Sequence, residues 1–175
     1  MVLTGGLATG KTAVAQEVIS VAAHLGLRAA AIDLDWLGWT TGAESDVEEL
    51  IGRNLAAVAA NYAAAGVDHL VLARALLRPR ALEALAAVLP GWVLAAVRLE
   101  ARRTTLERRL RIRDSGAELR NHLDELDDMT RRVAAAAPKT AVVVNDGREL
   151  RAVALEVMRL VDWIDVDTGD VPIPK

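Results

Sequence analysis

The chain has 175 residues, a formal net charge of −3 and an isoelectric point near 5.6. Hydrophobic residues make up 53% and charged residues 26%, which excludes a disordered chain and suits one domain with a full core. The mild acidity speaks against a nucleic-acid or membrane-surface binder. The absence of cysteine removes disulfide scaffolds, thiolate nucleophiles and cysteine-ligated zinc, and fits a reducing cytoplasm.

Residues 1–3 open on a clipped apolar strand, with no basic leader and no apolar run near the roughly 20 residues of a membrane helix. Residues 11–24 carry Val14, Val18, Val21 and Ala22 at helical spacing, and Gly26 ends them. Residues 28–33 read as a second strand ending in carboxylates. Residues 46–65 are helical up to Gly66, and 68–74 form a buried-type strand. Pro79 suits the first turn of a helix reaching about residue 88. After the Pro90-Gly91 turn, residues 92–99 read as a fourth strand. A basic helix over 104–113 is broken at Ser115-Gly116, and a further helix covers 118–136. Residues 139–144 are a fifth strand, Asn145-Asp146-Gly147 a turn, and 149–163 the last helix. The tail, 165–175, holds Gly169, Pro172 and Pro174 and is expected to lie along the surface or fray. Phenylalanine is absent, so Leu, Val, Ala and four tryptophans must fill the core.

Apolar strands alternating with helices predict an α/β fold: a five-stranded parallel sheet covered by helices on both faces. Residues 1–164 are expected to form a single domain.

The sharpest signal is Gly5-Gly6-Leu7-Ala8-Thr9-Gly10-Lys11-Thr12, which fits the Walker A pattern without mismatch between a strand and a helix. Glycines let the backbone curl so that successive N–H groups surround phosphate oxygens, and the helix adds the positive end of its dipole. Lys11 is then expected to reach the terminal phosphates of ATP, and Thr12 to offer its hydroxyl to Mg²⁺.

The second strand ends in Asp33-Leu34-Asp35. Strand residues two apart point to one side, so both carboxylates are expected to face the phosphate loop: one toward a metal, one toward an acceptor proton. The competing reading is a pair of helix N-caps.

A Walker A motif followed by Asp-x-Asp about two dozen residues on resembles the small P-loop kinases of the shikimate, gluconate and adenylylsulfate kinase group. His69-Leu-Val-Leu-Ala-Arg, Thr105-Leu-Glu-Arg-Arg-Leu and Val142-Val-Val-Asn-Asp-Gly-Arg resemble the third-strand, lid and last-helix regions of gluconate kinases. The resemblance implies the P-loop three-layer fold with an arginine-bearing helical lid at about 102–136. It also implies Asp33 beside Thr12 in the metal shell, Asp35 as the acceptor-side base, and Arg109 and Arg113 as the functional lid arginines. Asn145 and Gly147 would bracket the adenine. The chain departs from the pattern at Leu34, at Ala73, and in having no acidic residue after the third strand.

Trp36 and Trp39, three apart, either wall an acceptor pocket or fill core; Trp92 and Trp163 suit core. Arg102, Arg103, Arg108, Arg109, Arg111, Arg113 and Arg120 crowd one stretch. Such a cluster either closes over a migrating phosphoryl group or is a solvated face paired with Glu107, Asp114 and Glu118. The three histidines show no metal-ligand spacing.

The expected activity is an ATP-dependent kinase phosphorylating a small molecule at a hydroxyl, working as a monomer or homodimer without nucleic acid or membrane partners. The alternative is a nucleotide-binding switch with little catalysis.

Overall fold

A computed structural model describes residues 1–42 and 46–165. Five strands, β1 (Val2–Thr4), β2 (Ala29–Asp33), β3 (His69–Ala73), β4 (Ala96–Glu100) and β5 (Ala141–Val144), form one sheet in the order β2-β3-β1-β4-β5. Every pairing is parallel. Seven helices are described: α1 (Lys11–His24), α2 (Leu34–Leu37), α3 (Val47–Ala64), α4 (Ala81–Ala87), α5 (Arg103–Arg113), α6 (Gly116–Ala136) and α7 (Leu150–Leu160).

Alternate strand residues feed two separate cores, which is why Val2–Leu3 and Leu70–Ala73 are unbroken apolar runs rather than alternating with polar residues. Leu3, Val71, Ala73, Val97 and Leu99 pack under α1 and α7 with Val14, Val18, Val153 and Val157. Val2, Leu70, Leu72 and Ile32 pack on the opposite face with Ile51, Leu55 and Ala59 of α3. A third, smaller cluster joins α5 to α6 through Leu106, Leu110 and Leu126, with Leu7 and Ala8 against it. The expected α/β architecture is therefore present, and the segment from 102 to 136 packs on the glycine-rich loop.

Two boundaries differ from expectation by three residues or more, and one element is new. The fourth strand starts at Ala96 rather than 92, because its partner β1 offers positions only from Val2, opposite Ala96. The last helix stops at Leu160, where Asp162 takes a left-handed conformation (φ 56°) and Trp163 N–H turns back to Met158 O, 3.0 Å. Trp163 then packs on the first core and against His69 edge-on, 4.7 Å between ring centroids. The four-residue α2 is an element the sequence pattern did not indicate. The expected tail lies outside the described residues apart from Asp165, and no helix among the described residues is long and apolar enough to cross a membrane.

Candidate functional site

The loop between β1 and α1 is shaped by backbone geometry. Gly10 caps α1 in a left-handed conformation (φ 94°), with no side-chain cap and no acidic residue in the first turn. The leading N–H groups of α1 thus present the positive end of the helix without a carboxylate from its own first turn to neutralise it. A Cβ at Gly10 would lie 2.5 Å from Asn145 Nδ2, and one at Gly5 would lie 2.6 Å from the Leu99 carbonyl oxygen. Leu99 is a strand residue that cannot retreat. Gly5→Ala is therefore expected to cost about 2 kcal/mol or more of stability, read as a lowered urea midpoint with unchanged slope. Thr9 is buried and donates to Gly6 O, 3.0 Å.

Lys11 Nζ donates to Gly5 O (3.1 Å) and Gly6 O (3.0 Å), folding back over the loop. Loss of solvation lowers its pKa from the usual lysine range. Asp35 and Asp33 pull it back up, and Arg113 adds to the lowering. The charges that act on Lys11 thus come from β2, α2 and α5.

Thr12 Oγ1 donates to Asp33 Oδ2 at 2.6 Å. The other Asp33 oxygen accepts the Asp35 N–H at 3.2 Å and caps α2. This corrects the basis of the expected pairing. Asp33 ends β2 and is a helix N-cap, while Asp35 sits in the first turn of a helix rather than two positions along a strand. Both carboxylates still act on the Lys11 charge, Asp33 from the end of β2 and Asp35 from the first turn of α2.

The basic helix α5 divides its arginines. Arg109 bridges the loop and the end of β5, donating to Ala8 O (3.1 Å) and Asn145 O (2.9 Å). Its partner Ala8 holds a left-handed φ of 55°. Asn145 is buried, and its Nδ2 donates to Thr9 O, 2.8 Å. Gly147 is exposed with φ 66°, a turn conformation that favours glycine. Next to it, Asp146 accepts from Thr105 Oγ1 (2.5 Å) and from Arg102. Arg103 pairs with Glu107 and Asp127, so part of the cluster is an ion-paired surface.

Arg113 grips Asp114 with two bonds, 2.6 and 3.0 Å, and His122 Nδ1 lies 2.7 Å from the same carboxylate. The Arg113 bonds, seconded by His122, hold the buried Asp114 carboxyl down at about 2. A depressed acid stabilises the fold above its unfolded value and loses that contribution as pH falls through the folded value. With Arg113 half-exposed, the contribution is about 1 kcal/mol. Asp114→Asn is expected to be less stable by that amount at pH 7, the gap closing between pH 4 and pH 2 in urea titrations.

Trp36 and Trp39 do not fill core: they are 65% and 73% exposed, with ring centroids 4.5 Å apart. The helix that carries Trp36, and the Gly38 turn that leads to Trp39, are fixed to α3, since Asn54 Nδ2 donates to Leu37 O (2.7 Å) and Gly38 lies against Ile51 and Val47. Trp92 packs on the second core.

Sequence reading did not single out Thr130, whose Oγ1 would be 3.1 Å from a Cβ on Gly6, nor the Asp114–His122 contact. Thr130 carries no sequence signal. Asp114 does, as the residue closing an arginine-rich helix.

No protein-family model matches the chain, and no curated protein matches it in sequence. Solved structures do match in shape. Shikimate kinase from Bacteroides thetaiotaomicron is 20% identical, covers 92% of this chain and 96% of its own, and has a TM-score of 0.60. A gluconokinase from Sinorhizobium meliloti is 20% identical over 92% of each chain, with a TM-score of 0.58. The Deinococcus radiodurans tunicamycin resistance protein is 18% identical over 92% of this chain and 94% of its own, with a TM-score of 0.62. The chain has the fold of the P-loop kinases of the shikimate and gluconate kinase type.

Proposed function

We propose that this chain is an ATP-dependent phosphotransferase, working in the cytoplasm, that moves the γ-phosphoryl group to a hydroxyl of a small molecule. The observation that carries the reading is the Thr12–Asp33 hydrogen bond beside Lys11, with Asp35 in the same neighbourhood. The kinase names of the structural neighbours support it.

In this reading Gly5, Gly6, Leu7, Ala8, Thr9 and Gly10 cradle the phosphates with backbone N–H groups, and Lys11 moves from the loop carbonyls to the phosphate tail. Thr12 and Asp33 offer hard oxygen ligands that fit Mg²⁺, which when bound neutralises charge on the β- and γ-phosphates. Asp35 accepts the acceptor's proton. The acceptor oxygen bonds to the γ-phosphorus as the bond from that phosphorus to the bridging oxygen breaks, and the electron pair leaves with ADP. Arg109 and Arg113 close over the transferring group from α5 and exclude water. Asn145 and Gly147 border the adenine. The protein acts as a monomer or homodimer, without nucleic acid or membrane partners.

A second reading, a nucleotide-dependent switch, is favoured by Ala73 at the end of β3, where a further acidic residue would assist hydrolysis. Measuring ADP formation over a panel of sugars, sugar acids, nucleosides and antibiotics separates the two. The kinase requires a sharp rise with one acceptor. Equal turnover with and without every acceptor supports the switch.

A further inference from the structure

The short helix α2 and the turn after it are two-sided. Leu34 is buried, Leu37 packs on the second core, and a Cβ at Gly38 would meet Ile51 at 2.7 Å. Asp35, Trp36 and Trp39 are instead all exposed. Two large indoles in contact on a protein surface are uncommon, and exposed apolar patches mark binding sites. These two are held rather than frayed: Asn54 anchors Leu37 O, and Trp39 N–H donates to Trp36 O at 3.4 Å. Their planes are inclined by 42° instead of stacked flat, so ring faces stay open to a ligand.

The charge of the segment selects that ligand. Between Arg28 and Arg53 the sequence has six carboxylates and no lysine or arginine. Glu48 and Glu49 are balanced by Arg74 and Arg53. Asp33 is engaged by Thr12, Asp46 caps α3, and Glu44 lies outside the described residues. Asp35, next to the indoles, makes no hydrogen bond or ion pair through its carboxylate among the described residues. The cations of this end are occupied, Lys11 on the Gly5 and Gly6 carbonyls and Arg113 on Asp114. An anionic acceptor would meet like charge here. A neutral one would use the ring faces and leave the field unused. A cation uses both, because the indole face attracts positive charge more strongly than any other aromatic side chain.

We propose that the acceptor is a cationic alcohol, whose ammonium group lies on the Trp36 and Trp39 faces while its hydroxyl reaches Asp35. The hydroxyl oxygen bonds to the γ-phosphorus, its proton passes to Asp35, and ADP leaves with the electron pair of the broken bond; the nitrogen keeps its charge throughout. The acceptor role rests on the phosphotransferase reading above; cation binding at the indoles does not.

The test follows the indole N–H resonances of the full chain, assigned with Trp36→Phe and Trp39→Phe. The ligands are choline, its uncharged carbon isostere 3,3-dimethylbutan-1-ol, and the anion 3-hydroxy-3-methylbutanoate. ADP formation with ATP and Mg²⁺ is measured in parallel. Choline is expected to shift the Trp36 and Trp39 signals and to bind about tenfold more tightly than the isostere, the order of two exposed cation–π contacts, with the anion weakest. Replacing both tryptophans by leucine should remove that preference with the thermal melt unchanged, and Trp36→Phe alone should keep part of it. No choline binding, an isostere or anion that binds as tightly, or a preference that survives the double leucine variant overturns the inference. So do choline shifts confined to Trp92 and Trp163, or signals that move with protein concentration alone, which would put a second copy of the chain on the pair. ADP formation raised by the isostere or the anion and not by choline overturns it too, and leaves the phosphotransferase reading standing. Choline binding at the pair with ADP formation unmoved by all three alcohols leaves the cation site standing and removes the phosphotransferase reading.

Discussion

Lys11→Ala is expected to lower acceptor-dependent ADP formation about 10³-fold, the order seen when one preorganised charge-stabilising donor is lost. That corresponds to about 4 kcal/mol of transition-state stabilisation. Two features make the effect large. The amine sits in a poorly solvated place, where its interaction with developing phosphoryl charge is little screened. It is also held by the Gly5 and Gly6 carbonyls, so it needs only a short swing to meet a phosphate oxygen. Alanine provides neither charge nor reach. A coupled ADP assay, with circular dichroism melts to show that the fold is retained, measures the loss. Activity within tenfold of the parent would remove Lys11 from the reaction.

Asp35→Asn is expected to lower kcat about 10³-fold while changing the affinity for a non-hydrolysable ATP analogue less than twofold. The substitution keeps shape and removes the proton acceptor. Asp35 is exposed and donates only its backbone N–H to Asp33, so the α2 cap survives and the Thr12–Asp33 bond is untouched. The kcat and affinity measurements separate the roles. A variant that loses nucleotide affinity and keeps turnover would move Asp35 to the donor side and leave the acceptor without a base.

Much of this site is written locally in the chain. The glycine-rich loop is legible because its spacing reflects backbone requirements that no other residues meet, and α1 runs from Lys11 to His24 as its apolar spacing indicates. The parallel sheet is legible because strands buried on both faces must be apolar throughout. What was illegible lies at shorter or longer range. The four residues of α2 are too few to show a helical period, so Asp33 and Asp35 read as neighbours on a strand. The exposure of Trp36 and Trp39 depends on where α3 seats that helix. Arg109 meets Ala8 and Asn145, 101 and 36 residues away in sequence, and only the folded sheet order brings these together. Arg74 reads as the last residue of the third strand, and that its buried Nη1 has no hydrogen-bond partner among the described residues is a property of burial.

The sheet order also sets which parts of the molecule loosen first. β1 is the middle strand, hydrogen-bonded to β3 on one side and β4 on the other, with cores above and below it. The α5–α6 pair rests on the small leucine cluster and on the polar contacts of Arg109, Thr105 and Arg102. Local opening favours segments with few buried apolar contacts. Opening of the arginine-bearing helices is therefore expected to cost less than opening of the strand that carries the glycine loop, which in the proposed phosphotransferase would let nucleotides exchange without global unfolding.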